Sequence, residues 1–380
     1  MSGLSLPAIG AGVQSIDTPA LVIDVDAMER NLAAMAAFAA AHGVRLRPHA
    51  KMHKCATIAR LQIAAGAVGV CVQKTSEAEA LAAAGIDDIY ISNEVIDPGK
   101  LVRVAALAGR IRLAIAVDSA EGVERLAAAV AAAATRIDVF VEVDVGHGRC
   151  GVAPAAAGAL AQRIVSHAPP EGGLRFAGIQ AYHGRAQHLR GAAEREATSR
   201  HAADLARAAQ AGIGAAGIAC PLVSGGGTGT FAFDVACALW GELQAGSYLF
   251  MDRDYADNGG AAGLPQFEHA LFVRSQVVSR GVAHAVVDAG HKSHAIDSGM
   301  PAVWQRELDF TSGGDEHGIL RVRPGSTSAE LPRLGETVWL VPGHCDPTVN
   351  LHNHYVVVRG GLAGGRVEAV WPIEARGCLS

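Results

Sequence analysis

At 380 residues the chain is longer than one small core can organise, and two domains are expected. Half of it is apolar and 18% charged, which excludes a disordered chain; a net charge of −5 argues against a nucleic-acid or membrane-surface partner. Arg, Asp, Glu or His interrupts every apolar run before the roughly 18 residues a membrane helix needs, and the N-terminus shows no secretory-leader pattern. The seven cysteines are scattered, without a C-x-x-C pair, so reduced thiols in a cytoplasmic protein are expected.

From about residue 27 to 250, short β-branched runs alternate with Ala-rich helical ones. The strand candidates are Val44–Ala50, Val68–Gln73, Asp88–Asn93, Ile111–Val117, Ile137–Asp144, Phe176–His183, Leu222–Gly225 and Glu242–Tyr248. Helices are predicted between them, among others at Ser76–Ala84, Glu121–Ala134 and Arg195–Ala211. Eight βα units in about 225 residues predict an α/β fold, a closed (β/α)8 barrel over 26–260. Beyond Leu264 the pattern changes to β-rich runs: Ala270–Val278, Ala283–Asp288, Thr337–Val341, Tyr355–Arg359 and Val367–Trp371. A second, β-rich domain is therefore placed at 265–380, joined by an N-terminal strand within 17–25.

With the strands laid out as a barrel, Lys51, Gln73, Asn93, Arg149, Tyr182, His183 and Ser247 all fall at carboxyl ends, where barrel active sites are built. The turns after the seventh and eighth strands, Ser224–Gly229 and Gln244–Tyr248, are glycine- and hydroxyl-rich. Such turns bind a phosphate, and neither matches a dinucleotide or triphosphate fingerprint, which points to a monophosphate. Lys51 lies in a cationic cluster, Arg47-Pro48-His49-Ala50-Lys51-Met52-His53-Lys54, where burial and like charge would lower its pKa and favour a Schiff base; Lys54 is expected in solvent. A phosphate site opposite such a lysine points to pyridoxal phosphate.

Here the sequence resembles the fold-type III pyridoxal-phosphate enzymes of the D-threonine aldolase and D-serine dehydratase group, whose fold is alanine racemase-like. The resemblance is carried by RPHAKMHK (47–54), VCVQKTSEAEA (70–80), ISNEV (91–95), VEVDVGHGRCGV (141–152), GIQAYHG (178–184), SGGGTGT (224–230), ELQAGSY (242–248), DEHG (315–318) and GHCDPT (343–348). It implies that Lys51 bears the cofactor and that Gln73, Arg149, Tyr182, Ser224, Gly226, Gly227, Thr228, Gly246, Ser247 and Tyr248 surround it. An ion pair of Arg149 with Asp144 or Glu142 is the competing reading. His344 and Asp346 are implied as ligands of Mn²⁺ or Mg²⁺, an oxygen-and-imidazole set with water completing the shell. The dehydratase branch carries cysteine two residues after the histidine, where this chain has Asp346, so an aldolase is favoured. His188 is the candidate base, with His49, His53 and His183 as rivals. The implied reaction is retro-aldol cleavage of D-3-hydroxy-α-amino acids to glycine and an aldehyde, in a homodimer. The alternatives are a 3-hydroxy-D-aspartate aldolase, which needs a further cation such as Arg185, a D-serine or 3-hydroxyaspartate dehydratase, and a non-catalytic pyridoxal-phosphate carrier.

Overall fold

The computed structural model describes residues 6–169, 172–260 and 264–380. Eight parallel strands (Arg45–Leu46, Val70–Val72, Asp88–Ile91, Arg112–Val117, Arg136–Glu142, Gly173–Ala181, Val223–Gly225 and Glu242–Leu243) follow one another around a sheet. The first pairs with the eighth, and meets the second through Val68 N to Leu46 O, Cys71 N to Pro48 O and the parallel bridge His49–Cys71. The parallel α/β barrel and the β-rich sheet beyond it follow the sequence pattern.

The helices between strands form where apolar residues recur every three or four positions and a polar side chain meets the first free amide. In Ala120–Ala132, Ser119 accepts from Gly122 N, and Val123, Leu126, Ala127 and Val130 make the buried stripe. Pro98 opens Pro98–Ala108 beneath an Asp97 cap, and the αL residue Gly43 closes Val25–His42. With few aromatic residues, the core rests on Ala, Val, Leu and Ile.

Two strand readings run too long. Ala50–Met52 and Ser247–Leu249 are 3-10 turns, so the first and eighth strands stop after two residues each. Pro48 has no amide to offer the ladder, and the Gly246-Ser247 turn bends the chain away across the barrel mouth. Lys51 and Met52 of the first turn and Ser247 of the second lie at that mouth.

The second sheet has nine strands. Along its main path Leu308–Ser312, Gly318–Val322, Ala285–Val287 and Leu271–Arg280 lead to Ala20–Asp24, then His354–Arg359 and Arg366–Pro372; Thr337–Val341 and Ala302–Val303 branch from Leu271–Arg280. Ala20–Asp24 thus sits centrally, antiparallel to Leu271–Arg280 and parallel to His354–Arg359. The sheet reaches the barrel beside Lys51: Tyr355 Oη donates to His53 O at 2.6 Å, and Ala375 N to Lys54 O at 3.0 Å. Among the described residues no helix is long and apolar enough to cross a membrane.

Candidate active site

A cavity of about 400 Å³ opens at the carboxyl ends of the barrel strands. Lys51, Gln73, Asn93, Arg149, Tyr182, Gly227, Thr228, Gly246 and Ser247 line it, together with Asp346 from the turn after strand Thr337–Val341. Residues 295 positions apart meet here: Lys51 Nζ donates to Asp346 Oδ2 at 2.5 Å. The pairing departs from the lowered lysine pKa expected of a cationic cluster. Burial presses the Lys51 ammonium down, but Asp346 and the Tyr182 phenol outweigh it and hold the amine above its ordinary range. Burial likewise raises Asp346, yet Lys51 and His344 bring its carboxyl down to about 2.

The other Asp346 oxygen, Oδ1, is buried without a hydrogen-bond partner, and His344 Nε2 stands 3.8 Å from it. On the far side of the same imidazole, Nδ1 faces Asp297 Oδ2 at 2.7 Å. With its proton on Nδ1, donated to Asp297, the imidazole would offer Nε2 to a cation beside Asp346, the usual arrangement of a carboxylate behind a ligating histidine. Asp297 has no precedent in the motifs and was missed; only its neighbour in space, 47 residues on, gives it meaning. Cys345 points away and is fully buried, while its amide donates to Asp252 Oδ2 at 3.0 Å and so fixes the turn that carries His344 and Asp346.

Arg149 lies 5.9 Å from the centre of the Tyr182 ring. Its nearest carboxylate is Glu142 at 3.9 Å, whose carboxyl is pushed up to about 9 by burial and by Glu94. Asp144 instead accepts from the amides of Gly146 and Gly148. The ion-pair reading of Arg149 is therefore weak, and its guanidinium is available to the cavity. His49 also lines the cavity: its Nε2 meets Gln73 Nε2 at 3.1 Å and Ser92 Oγ at 3.2 Å, and its Nδ1 accepts from the Lys51 amide at 3.4 Å, contacts that orient it as a wall residue.

Several candidate residues are placed elsewhere. Ser224 is fully buried inside the barrel, donating to Glu242 Oε1 at 2.7 Å and accepting from Gln244 Nε2 at 2.8 Å. Tyr248 is buried against Gln62 and Phe267, and Gly226 packs towards Asp234. A Cβ on Gly227 would come within 2.4 Å of Gln187 Oε1, and one on Gly246 within 2.8 Å of His49 O, so these glycines serve packing behind the wall as well as access in front of it. His183 stacks on His147, centroids 5.8 Å apart. His188 does not line the cavity; it stands behind Tyr255, which does, at 5.3 Å between rings, with Nδ1 on Asp254 Oδ2 at 2.5 Å. His53 is buried, bonded to Gln62. Lys54 is not in solvent: it is buried and pairs with Glu77 at 2.5 Å.

Residues 23–254 match the family model described as alanine racemase, N-terminal domain, and residues 270–358 the putative serine dehydratase domain. The chain is 46% identical to D-threonine aldolase of Arthrobacter sp. over 99% of its length and 97% of that protein's. It is 41% identical to 3-hydroxy-D-aspartate aldolase of Paracoccus denitrificans, with 99% and 96% covered. The crystal structure of D-threonine aldolase from Filomicrobium marinum superposes with a TM-score of 0.94 at 46% identity, covering all of both chains. The chain belongs to the D-threonine aldolase family. Family members are fold-type III pyridoxal-phosphate proteins.

A pyridoxal phosphate fits the aldolase-family cavity: a primary amine at its floor, an aromatic ring with a guanidinium beside it, and a wall of glycines and hydroxyls at Gly227, Thr228, Gly246 and Ser247. A divalent cation fits the rim, where an orphaned carboxylate oxygen and an oriented imidazole face each other. Among the described residues no third His, Cys, Asp or Glu converges there, which leaves the remaining positions to water and substrate and suits an oxygen-rich shell.

Proposed function

We propose that this protein cleaves D-3-hydroxy-α-amino acids by a retro-aldol reaction, using pyridoxal phosphate on Lys51 and a Mn²⁺ or Mg²⁺ ion on His344 and Asp346. The observation that carries the reading is the meeting of Lys51 and Asp346 in one cavity, with Asp346 Oδ1 and His344 Nε2 left facing each other. The cofactor supplies an electron sink for the pair released when a bond at Cα breaks. The cation supplies a Lewis acid that makes a β-hydroxyl easier to deprotonate.

This chain's own residues do the rest. Lys51 would hold the cofactor through its amine at the cavity floor. Arg149 binds the substrate's α-carboxylate beside Tyr182, which closes one face of the ring site. Gly227, Thr228, Gly246 and Ser247 would hold the phosphate, and Gln73 would orient the ring site through His49. His188, whose Nδ1 is held by Asp254, offers Nε2 to accept the β-hydroxyl proton past Tyr255. Ser224 supports the two phosphate-side turns from within the barrel, and Gly226 and Tyr248 from the packing around it. The barrel over 26–260 and the β-rich sheet of 265–380 with 17–25 act as two domains, each contributing half of the site. A homodimer is carried over from related two-domain barrels. The seven unpaired cysteines support a reducing, cytoplasmic setting.

Product analysis tests the reading. D-Threonine with pyridoxal phosphate and Mn²⁺ should yield glycine and acetaldehyde in equal amounts. Ammonia with 2-oxobutanoate would mean elimination of the β-hydroxyl and would refute it.

A further inference from the structure

A second cavity, of about 270 Å³, opens at the amino ends of the barrel strands and shares no lining residue with the catalytic one. Arg45, Arg47, Arg112 and Arg175 stand around it with Asp88 and Asp138. Their side chains lie on the inward face of the barrel. Residues two apart share a face of a strand, so Asp88 projects with Tyr90, Arg112 with Ala114 and Ala116, and Asp138 with Phe140. Tyr90, Ala116, Phe140 and Cys71 form a buried cluster of their own, with the Tyr90 and Phe140 rings 4.7 Å apart. Ala114, Ala177 and Leu222 pack against that cluster, and with Phe140 they line the inner end of the cavity. The cavity is therefore charged at its mouth and apolar within.

Ion pairs fix where each guanidinium lies. Arg45 Nη2 stands 2.9 Å and Arg47 Nε 3.2 Å from Glu242 Oε2, whose partner oxygen accepts from Ser224 inside the barrel. Arg47 Nη1 donates to Asp88 Oδ1 at 2.5 Å, passing Gly69, where a Cβ would come within 2.6 Å of that nitrogen. Arg112 Nη1 lies 3.4 Å from Asp88 Oδ2 and its Nε 3.8 Å from Asp138 Oδ2, and Arg175 holds Asp138 through two hydrogen bonds. The row alternates in sign from Arg45 to Arg175 and ends on a cation at both sides, so four guanidiniums meet three carboxylates. Between those ends, before the seventh strand, the chain lines the cavity with Pro221 and Leu222 alone. Among the described residues one positive charge is left over at the mouth, where a guanidinium gains most from a carboxylate that matches its fork.

We propose that this cavity binds a small organic carboxylate with an apolar body, the carboxylate taken by Arg45 and Arg175 at the open ends of the row and the body seated against Ala114, Phe140, Ala177 and Leu222. A compact anion would leave the apolar end unfilled, and a neutral ligand would leave the extra cation unanswered. The site lies at the opposite end of the barrel from Lys51 and does not depend on the aldolase reading.

The test titrates the full chain, loaded with pyridoxal phosphate and Mn²⁺, with benzoate, benzamide and acetate in a calorimeter. Benzoate should bind, and benzamide, which lacks the charge, and acetate, which lacks the apolar body, should each bind about tenfold or more weakly by comparison. Arg45→Met and Arg175→Met should each weaken benzoate binding by about tenfold. Both side chains are half exposed, at 46% and 55%, and the carboxylate each one leaves keeps a second guanidinium, Arg47 on Glu242 and Arg112 on Asp138, so the fold should stand. Ala114→Leu fills the apolar end without moving a charge and should abolish binding. Arg149→Met, in the catalytic cavity, should leave it unchanged. Benzoate that fails to bind, or that binds no better than benzamide, would overturn the proposal. So would binding that is lost in Arg149→Met but kept in Arg45→Met, Arg175→Met and Ala114→Leu, which would place the benzoate beside Lys51 instead.

Discussion

Asp297→Ala removes the carboxylate behind His344 without touching the cavity itself. Asp297 Oδ2 sits 2.7 Å from His344 Nδ1, and Ser298 Oγ, at 3.4 Å, is too distant to replace it. The Asp297 side chain is 52% exposed, so its loss should cost the fold less than about 0.5 kcal/mol. The imidazole, however, loses the contact that fixes its tautomer and ring angle. Loss of such an outer partner lowers metal affinity by about 10- to 100-fold, equivalent to roughly 1.4–2.7 kcal/mol. Solvent exposure of Asp297 places this variant towards the lower end of that range. Asp297→Asn, which keeps an acceptor oxygen, should lose less. The assay is initial aldehyde release from D-threonine across buffered free Mn²⁺ concentrations. The half-saturating concentration should rise, while kcat at saturating metal stays near the wild-type value. An unchanged half-saturation point would refute the assignment of His344 as a ligand.

Lys51→Ala should abolish both the visible absorbance of lysine-bound cofactor and activity; retained activity would remove Lys51 from its role. His188→Ala should lower kcat by about 10²- to 10⁴-fold while cofactor absorbance persists, and a loss under about threefold would place the base elsewhere. Glu77→Gln leaves the Lys54 ammonium buried without its counter-ion, and should destabilise the protein by about 3–5 kcal/mol in denaturant titrations. The double variant Glu77→Gln/Lys54→Met should recover part of that loss; additive losses would mean that the pair does not interact.

The barrel could be read from the sequence because its strands are buried β-branched runs and its helices keep a clean apolar stripe, as in Arg112–Val117 followed by Ala120–Ala132. The sheet beyond it was read less completely. Leu308–Ser312 and Gly318–Val322 alternate buried and outward residues around Gly313-Gly314, but Asp309 and Arg321 leave neither a continuous β-branched run, and neither is among the strands named from the sequence. The cavity wall followed from counting polar residues at strand ends, since topology alone gathers those positions. What local sequence could not show is which charges neutralise one another. Lys54 was expected in solvent because its partner, Glu77, lies one strand and one helix later. Lys51 was assigned a depressed pKa because the carboxylate that reverses the shift arrives 295 residues on, from the other sheet. Ser224 was expected at the phosphate because its motif is glycine-rich, but strand pleating turns its hydroxyl into the barrel, onto Glu242.

In the proposed enzyme two sheets join to make one site, with a divalent ion held between His344 and Asp346 above Lys51. The most direct measurement is anomalous diffraction at the manganese edge from crystals of the pyridoxal-phosphate-loaded protein grown with Mn²⁺. An anomalous peak is expected within bonding distance of His344 Nε2 and Asp346 Oδ1, with density continuous from Lys51 Nζ into the cofactor. Bound cofactor with manganese ligated by other residues, or with no manganese in the cavity, would contradict it.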